Sequence, residues 1–442
     1  MNNLTSRQRK TAWFVAILVL LIPVVLLGMP AGNTGSDSGG VLSDLRAEHD
    51  LGESKLGQID PTSATMNLLL LGLRGVAVNV LRMDLDDYKD RKDWAQMQAT
   101  TEAVITLQPH YIEVWRFLGW NLSYNVSAEW DSVPERYYWV KEGGKFLQRG
   151  EKRNNRVPEL KWEAGRTWGH KIGRSDEWKQ FRRFFVSDPD TKRFKGEGDR
   201  EINPAGTMDN YLVAKSWFVR SNAAEKEKDQ HIMMRELFRS YPAKSQIEYA
   251  DALQREGKFE GVTVAAWQEA FVDWTTQFGK EEIHTFNDCK IFLEANEDDV
   301  AQMARNSKVT ESVIKRELVF YQNTSNYLHW RLLCLAEKEE EMGLAHRLLF
   351  EGEQLYDQAE HEKARASLLM GLQKFEEILG RDQFRPLRAE DNLVEEIMWG
   401  IMLWRQTYLI LRLPVPATFP LKELWDQNQG RLPNLQSRFN HL

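Results

Sequence analysis

The chain is poor in sulfur. Of its 442 residues only Cys289 and Cys334 are cysteines. Two cysteines close one disulfide at most, so a disulfide-stapled framework is excluded, and two buried free thiols satisfy the sequence equally well. An aconitase-type iron–sulfur cluster needs three cysteine ligands and fails on the same count. The nine histidines include no His-Glu-x-x-His pair. His284 lies near Asp288 and Cys289, but a packed histidine and a buried cysteine account for that grouping without a metal. Gly52-Glu53-Ser54-Lys55-Leu56-Gly57 has the glycine spacing of a phosphate loop. Gln58-Ile59 follows in place of Lys-Ser/Thr, so the lysine and the magnesium ligand are missing. No Gly-x-Ser-x-Gly elbow occurs, since Gly35 to Gly39 carries Asp37 at its centre. Alternating strand patterns bounded by turns are essentially lacking, and with them the strand that must precede a dinucleotide fingerprint. No catalytic residue, cofactor or metal ligand is therefore expected.

No basic domain stands out either. Lysine and arginine number 58 against 65 acidic residues, a net charge of −7 spread along the chain. Nucleic acid is excluded as the main partner on that ground. The acidic groups Glu337 to Glu341 and Asp84, Asp86 and Asp87 read as solvated helix faces. A chain that is 42% apolar and 28% charged is ordinary for a folded protein and too apolar for a disordered one.

What is abundant is tryptophan, sixteen residues in all, eight of them from Trp94 to Trp178. Indole buries a large area and keeps one N–H donor, so it suits helix–helix seams and binding grooves alike, and core packing is the plainer reading. Thr11 to Leu27 is free of charge and follows Arg7, Arg9 and Lys10. At ~1.5 Å per residue it covers roughly 25 Å of the ~30 Å hydrocarbon core, and Gly28 and Met29 extend it. The flanking cations keep the N-terminus cytoplasmic and send the rest across. A cleaved signal peptide is the competing reading. The run is long for one, and Met29-Pro30-Ala31 lacks a small residue at its first position.

Ala31 to Gly40 is a Gly/Ser linker. Asp60 and Pro61 read as the N-cap and first turn of the folded part. Met66 to Leu73 is apolar but short and reads as a core helix. Beyond it apolar residues recur at three- and four-residue spacing, as at Trp94, Met97, Thr101, Val104 and Ile105, which is the pattern of helices. Asp188 to Pro204 is the longest polar, Gly/Pro-marked stretch and reads as a boundary or excursion loop. The expected organisation is a basic tail (1–10), an anchor (11–29) and a linker (30–60). An N-terminal helical region (61–187), the loop (188–204) and a C-terminal helical region (205–442) follow.

Three places carry a repeat signal. Pro109 closes one helix, and Trp115, Leu118 and Gly119 open the next as Trp-x-x-Leu-Gly. Gly352, Leu355, Ala364, Leu368 and Gly371 put small residues where two paired helices would cross. More weakly, Pro242 ends a helix, Tyr249 and Ala252 lie on the next, Gly257-Lys258-Phe259 turns, and Val262 to Phe278 returns. On these residues the chain resembles the tetratricopeptide (TPR)-like helical-repeat superfamily over about half its length. The departures are Leu85 and Met97 at positions where small residues belong, a hairpin stretched by Ser132 to Gly144, Glu376 in place of a closing proline, and no strict ~34-residue period. Trp120 to Asn125 is also similar to stretches in membrane-anchored bacterial proteins of unassigned role. The resemblance implies an all-α fold, a divergent α/α solenoid of TPR-like hairpins, and a scaffold that docks a protein partner. With the N-terminal transmembrane helix read from Thr11 to Leu27 and its flanking cations, the expectation is a scaffold in a cell-envelope complex on the extracytoplasmic, periplasmic side.

One constellation mixes aromatics with amides: Trp115, Trp120, Asn121, Tyr124, Asn125, Trp130, Tyr137, Tyr138 and Trp139. Trp115, Leu118 and Leu122 share one helical face, while Trp120, Asn121 and Tyr124 lean to another. Either the helix is central and touched on both sides, or one face lines a groove. On the second reading Trp120, Asn121, Tyr124, Asn125, Trp130, Tyr137 and Trp139 are the candidate partner contacts. The basic stretch Arg136, Lys141, Lys145, Arg149, Lys152, Arg153 and Arg156 follows. It suits an acidic partner or anionic headgroups, and solvated faces explain it too. The rival function is an all-α enzyme acting on glycans with two carboxylates among Trp and Tyr platforms.

Overall fold

A computed structural model of the full chain describes residues 74–227, 234–259 and 261–439, with isolated positions at 8, 13–15, 19, 20, 22 and 232. The linker, the Asp60-Pro61 start and the Met66 to Leu73 helix lie outside the described residues, as does most of Thr11 to Leu27. No helix among the described residues is long and apolar enough to cross a membrane.

The protein is predominantly helical. Among the described residues the one β-ladder pairs β1 (Ile283–His284) with β2 (Lys290–Ile291), antiparallel. This two-residue hairpin seats Cys289 in the core but leaves His284 exposed, its Nε2 3.1 Å from Glu282 Oε1. The expectation of a packed histidine there is corrected. Cys289 and Cys334 are both free, buried thiols.

Contacts divide the chain into two compact units. One runs to Ala164 and takes in 223–228, and the other holds 165–222 and 229–442. The division falls inside a helix, and the polar stretch 188–204 lies within the second unit. There a turn of helix, Thr191–Phe194, begins where Asp190 accepts from the Arg193 N–H.

The first unit contains α1 (Arg74–Asp90), α2 (Trp94–Leu107), α3 (Ile112–Trp120) and α4 (Val133–Arg153). Asp93 caps α2 by accepting from the Gln96 N–H. Ser132 caps α4 ahead of Pro134, so Ser132 to Gly144, expected as an extended connection, is cap and helix. Proline suits the first helical turn, where its missing N–H has no partner to lose. Helices α3 and α4 approach through glycine. A Cβ on Gly119 would lie 2.6 Å from Leu147 Cγ, and one on Gly143 would lie 2.7 Å from the Gly119 carbonyl.

From α5 (Pro158–Arg166) the chain enters the second unit, with α6 (Trp178–Val186), α7 (Asn210–Glu227), α8 (Tyr241–Arg255) and α9 (Val262–Val272). Pro242 sits in the first turn of α8, so it opens this helix and does not end the one before. Beyond the β-ladder come α10 (Glu297–Ser307), α11 (Glu311–Thr324) and α12 (Tyr327–Glu337). The last set is α13 (Glu340–Asp357), α14 (His361–Leu379), α15 (Asp391–Ile410) and α16 (Leu432–Phe439).

Helices α13, α14 and α15 meet around one leucine. Leu349 of α13 lies where a Cβ on Gly371 would come within 2.9 Å and one on Gly400 within 3.0 Å of its Cδ2. Gly352 of α13 faces Leu368 of α14 in the same way, at 2.6 Å from Cγ. Gly352, Ala364 and Gly371 are all buried. Gly371→Leu is expected to overpack this seam and cost ~1–3 kcal/mol. An unchanged denaturation midpoint would count against the seam.

Among the described residues three helices open into π-turns, at Asn121–Val126, Thr167–Lys171 and Asp273–Phe278. A π-turn bonds i to i+5 and so leaves carbonyls of the preceding turn short of a donor. Side chains add donors around these turns. Asn121 Nδ2 joins its own backbone N–H on Phe117 O, at 2.8 Å, and Thr275 Oγ1 donates to Phe271 O at 2.7 Å. Within the second turn Trp168 O accepts from Asn210 Nδ2 at 2.8 Å.

Candidate functional site

The second unit carries a half-open cavity, a cleft of about 870 Å³. Its wall is made from helix faces that the three- and four-residue spacing dictates. His346, Phe350, Glu353 and Asp357 line one stripe of α13, and Asn392, Glu396, Trp399 and Leu403 line one stripe of α15. Helix α8 adds Asp251, Gln254 and Arg255, α9 adds Trp267, α12 adds Leu333 and Glu337, and α6 adds Trp178 and Lys179.

At one side of the cavity the buried His346 imidazole is held between two glutamates. Its Nδ1 lies 2.8 Å from Glu396 Oε1 and its Nε2 lies 3.1 Å from Glu337 Oε2. Gln254 Nε2 donates to the same Glu337 oxygen at 2.9 Å. The ring meets Phe375 edge-on at 5.0 Å. Burial by itself would lower the His346 pKa, but the charges of Glu396 and Glu337 more than offset it and hold the pKa well above the ordinary histidine value. The imidazole is therefore a cation with both nitrogens donating. Nearby, Trp399 Nε1 donates to Glu353 Oε1 at 2.9 Å. The Arg255 guanidinium lies 4.6 Å over the Trp178 ring.

Glu337 was expected on a solvated face with its acidic neighbours, and the structure corrects this: its side chain is 5% exposed. The rest of that run behaves differently. Glu339 and Glu341 both pair with Arg381, and Lys338 lies 3.8 Å over Phe271. Asp84, Asp86 and Asp87 are exposed, and Asp87 pairs with Arg91 at 2.5 Å.

The aromatic and amide set of the first unit is pulled apart. Trp120 is 41% exposed and stacks on Tyr124 with ring centroids 5.7 Å apart. Trp130 is exposed and stacks on the half-buried Trp139 at 6.1 Å, with Tyr138 against the Trp139 edge. Asn121 and Tyr137 are fully buried and present nothing to a partner, which corrects their place among the candidates. The half-buried Asn125 donates to Asn121 Oδ1 at 2.6 Å. Trp115 and Leu118 pack in the core, and Trp115 Nε1 donates to Pro109 O at 2.9 Å. The basic stretch is not one solvated face. Lys141 and Lys145 are buried, and Arg149 pairs with Glu102 at 2.5 Å.

The cavity residues went unmarked in the sequence because their partners lie far apart along it. His346 and Glu396 are 50 residues apart, and Gln254 and Glu337 are 83. The one local signal is the recurrence of His, Glu and Trp among apolar residues on a single face of α13 and of α15. Comparison with known proteins returns no matching family model, no matching curated protein and no matching solved structure.

Proposed function

We propose that this chain is a non-enzymatic helical-repeat scaffold, a divergent α/α solenoid that docks a protein partner in a cell-envelope complex. In this reading Thr11 to Leu27 tethers it to the membrane and the helical units lie on the extracytoplasmic side, as Arg7, Arg9 and Lys10 argue. The observation that carries the binding role is the cavity of the second unit, whose volume falls in the ~300–1,000 Å³ range of ligand sites. No Ser, Thr or Cys lines it among the described residues, so a hydroxyl or thiol nucleophile has no representative there. His346, already charged, has no lone pair to take a proton as general base.

The second reading, a glycan-active enzyme, draws support from one arrangement: Trp178 and Trp399 share the cavity with Glu353 and Glu396. Affinity capture from detergent-solubilised membranes separates the two. The scaffold reading expects a stoichiometric protein partner that is lost when Glu395 and Asp357 are both replaced by Arg. Loss on Trp120→Ala with Tyr124→Ala instead would move the docking face to the first unit. Absence of any partner, together with glycan hydrolysis abolished by Glu353→Gln, would sink the scaffold.

A further inference from the structure

We infer that the C-terminal tip of α15 is a wedge that enters the headgroup layer of an anionic lipid bilayer. The inference goes beyond the scaffold reading, because a tethered scaffold needs no second lipid contact. Three features of this end of the second unit point to it.

The first is an apolar helix end left in solvent. Helix α15 is mostly buried between Leu393 and Trp404. At its last turn Leu409 is 60% exposed, Ile410 is exposed beside it, and the exposed Leu413 follows. The turn that presents Leu413 is closed by the backbone. Arg412 takes a positive φ of 56°, and the Leu413 N–H donates to Tyr408 O at 2.9 Å. Glycine usually fills that left-handed position at a helix end, and here an arginine does. Apolar residues scattered singly over a surface are ordinary, whereas a group of them at one helix end marks a contact.

The second is charge. No acidic residue occurs from Ile397 to Leu421. Arg365, Arg405 and Arg412 form no ion pair among the described residues. Elsewhere in the unit Arg331, Arg381 and Arg431 each pair with a carboxylate. Arg365 lies 5.1 Å over the Tyr408 ring, and Arg405 lies 5.4 Å over the Trp425 ring. A ring face holds a guanidinium without neutralising it. Even with Glu362, one turn before Arg365 on α14, the tip stays cationic. In a chain of net charge −7 such a place complements anionic headgroups, towards which each basic residue contributes ~1 kcal/mol.

The third is the backbone. Pro414, Pro416 and Pro420 carry no N–H in the segment that follows the helix. A protein partner or a second copy could pair with such donors, and acyl chains cannot. Each unpaired N–H is costly in a layer of low polarity, so their removal favours lipid as the occupant.

Cys289 and Cys334 are buried, so a thiol placed at the tip can be labelled alone. Full chain carrying Leu409→Cys is labelled with a nitrobenzoxadiazole dye and reconstituted with vesicles of brominated phosphatidylcholine, with or without phosphatidylglycerol. Gln302→Cys, at an exposed position of α10, is the reference. In vesicles containing phosphatidylglycerol the dye at 409 is expected to be quenched at least about twofold more than the dye at 302. The excess should shrink in phosphatidylcholine alone and as salt is added. Ile410→Ser with Leu413→Ser should remove it, and so should Arg412→Glu. All three positions are exposed, and an unchanged melting temperature reports that the fold persists. Equal quenching at 409 and 302, or an excess indifferent to phosphatidylglycerol, overturns the inference. A blue shift at 409 that needs no lipid and grows with protein concentration also overturns it, in favour of a second copy. Partner capture is read separately, so either result leaves the scaffold reading to its own test.

Discussion

Replacing Arg182 by methionine is expected to lower the melting temperature by on the order of 10 °C. The Arg182 side chain is 4% exposed and joins three parts of the second unit. Its guanidinium donates to Asp209 at 2.8 Å, to Glu256 at 2.6 Å and to Asn210 Oδ1 at 2.6 Å, and it lies 5.2 Å over the Tyr211 ring. Burial pushes Asp209 above the ordinary carboxylate range even with the guanidinium beside it. Burial pushes Glu256 the same way, but its bonds to Arg182 and Lys258 prevail and hold it below that range. Methionine keeps most of the volume and removes the charge. Two carboxylates are then left close together with little water to solvate them. Breaking a buried pair in this way costs roughly 3–5 kcal/mol, well above the ~0–1 kcal/mol of a surface pair. Thermal scans of the variant check the size of the loss. Adding Asp209→Asn should recover part of it, because the second substitution removes one of the stranded charges. A single variant that melts with the wild type would show that the guanidinium is dispensable.

His346→Leu is expected to cost about 3 kcal/mol at pH near 6, and less as the pH is raised. Leucine leaves Glu337, 5% exposed, with only Gln254 as partner, while Glu396, 36% exposed, keeps access to water. The loss should therefore fall at the lower end of the range for broken buried pairs. The sign of the pH effect follows from the raised pKa. The folded state holds the imidazole proton more tightly than the unfolded state, whose value is near 6.5. That stabilisation is complete below the unfolded value and is lost as pH rises through the folded one. Melting curves of wild type and variant should therefore converge as pH is raised above about 6.5. A gap that stays constant across that window would mean that His346 acts through its shape and not its charge.

How much of this was legible in the sequence can be judged residue by residue. The all-α class was, because three- and four-residue spacing is a local signal. Met97, Thr101, Val104 and Ile105 stand on the buried face of α2 as their spacing requires. Proline was ambiguous: Pro242 fits the end of one helix or the first turn of the next, and only tertiary context decides. Charge was the weakest guide. Glu337 differs in no local way from Glu339 or Glu340, yet it is the one drawn inside, by a histidine nine residues on and a glutamine on another helix. The cavity follows from that kind of long-range pairing, which spacing along the chain cannot express. Burial likewise separated Tyr137 from Trp139, and Asn121 from Trp120, where composition had grouped them.

The π-turns have a consequence for the way this chain can be aligned with itself. Each takes one residue more than an α-turn before the backbone bond closes. A core pattern written at three-and-four spacing therefore emerges from Asn121–Val126 or Thr167–Lys171 one residue out of phase, while Asp273–Phe278 runs straight into the turn at Gly279. Where helix follows, its axis carries on while the numbering of its buried face slips. A template of constant period has to be restarted after each slip, like a vernier that has jumped a division. Among the described residues a repeat is therefore better sought within one interval between such turns, or beyond the last of them, than across several.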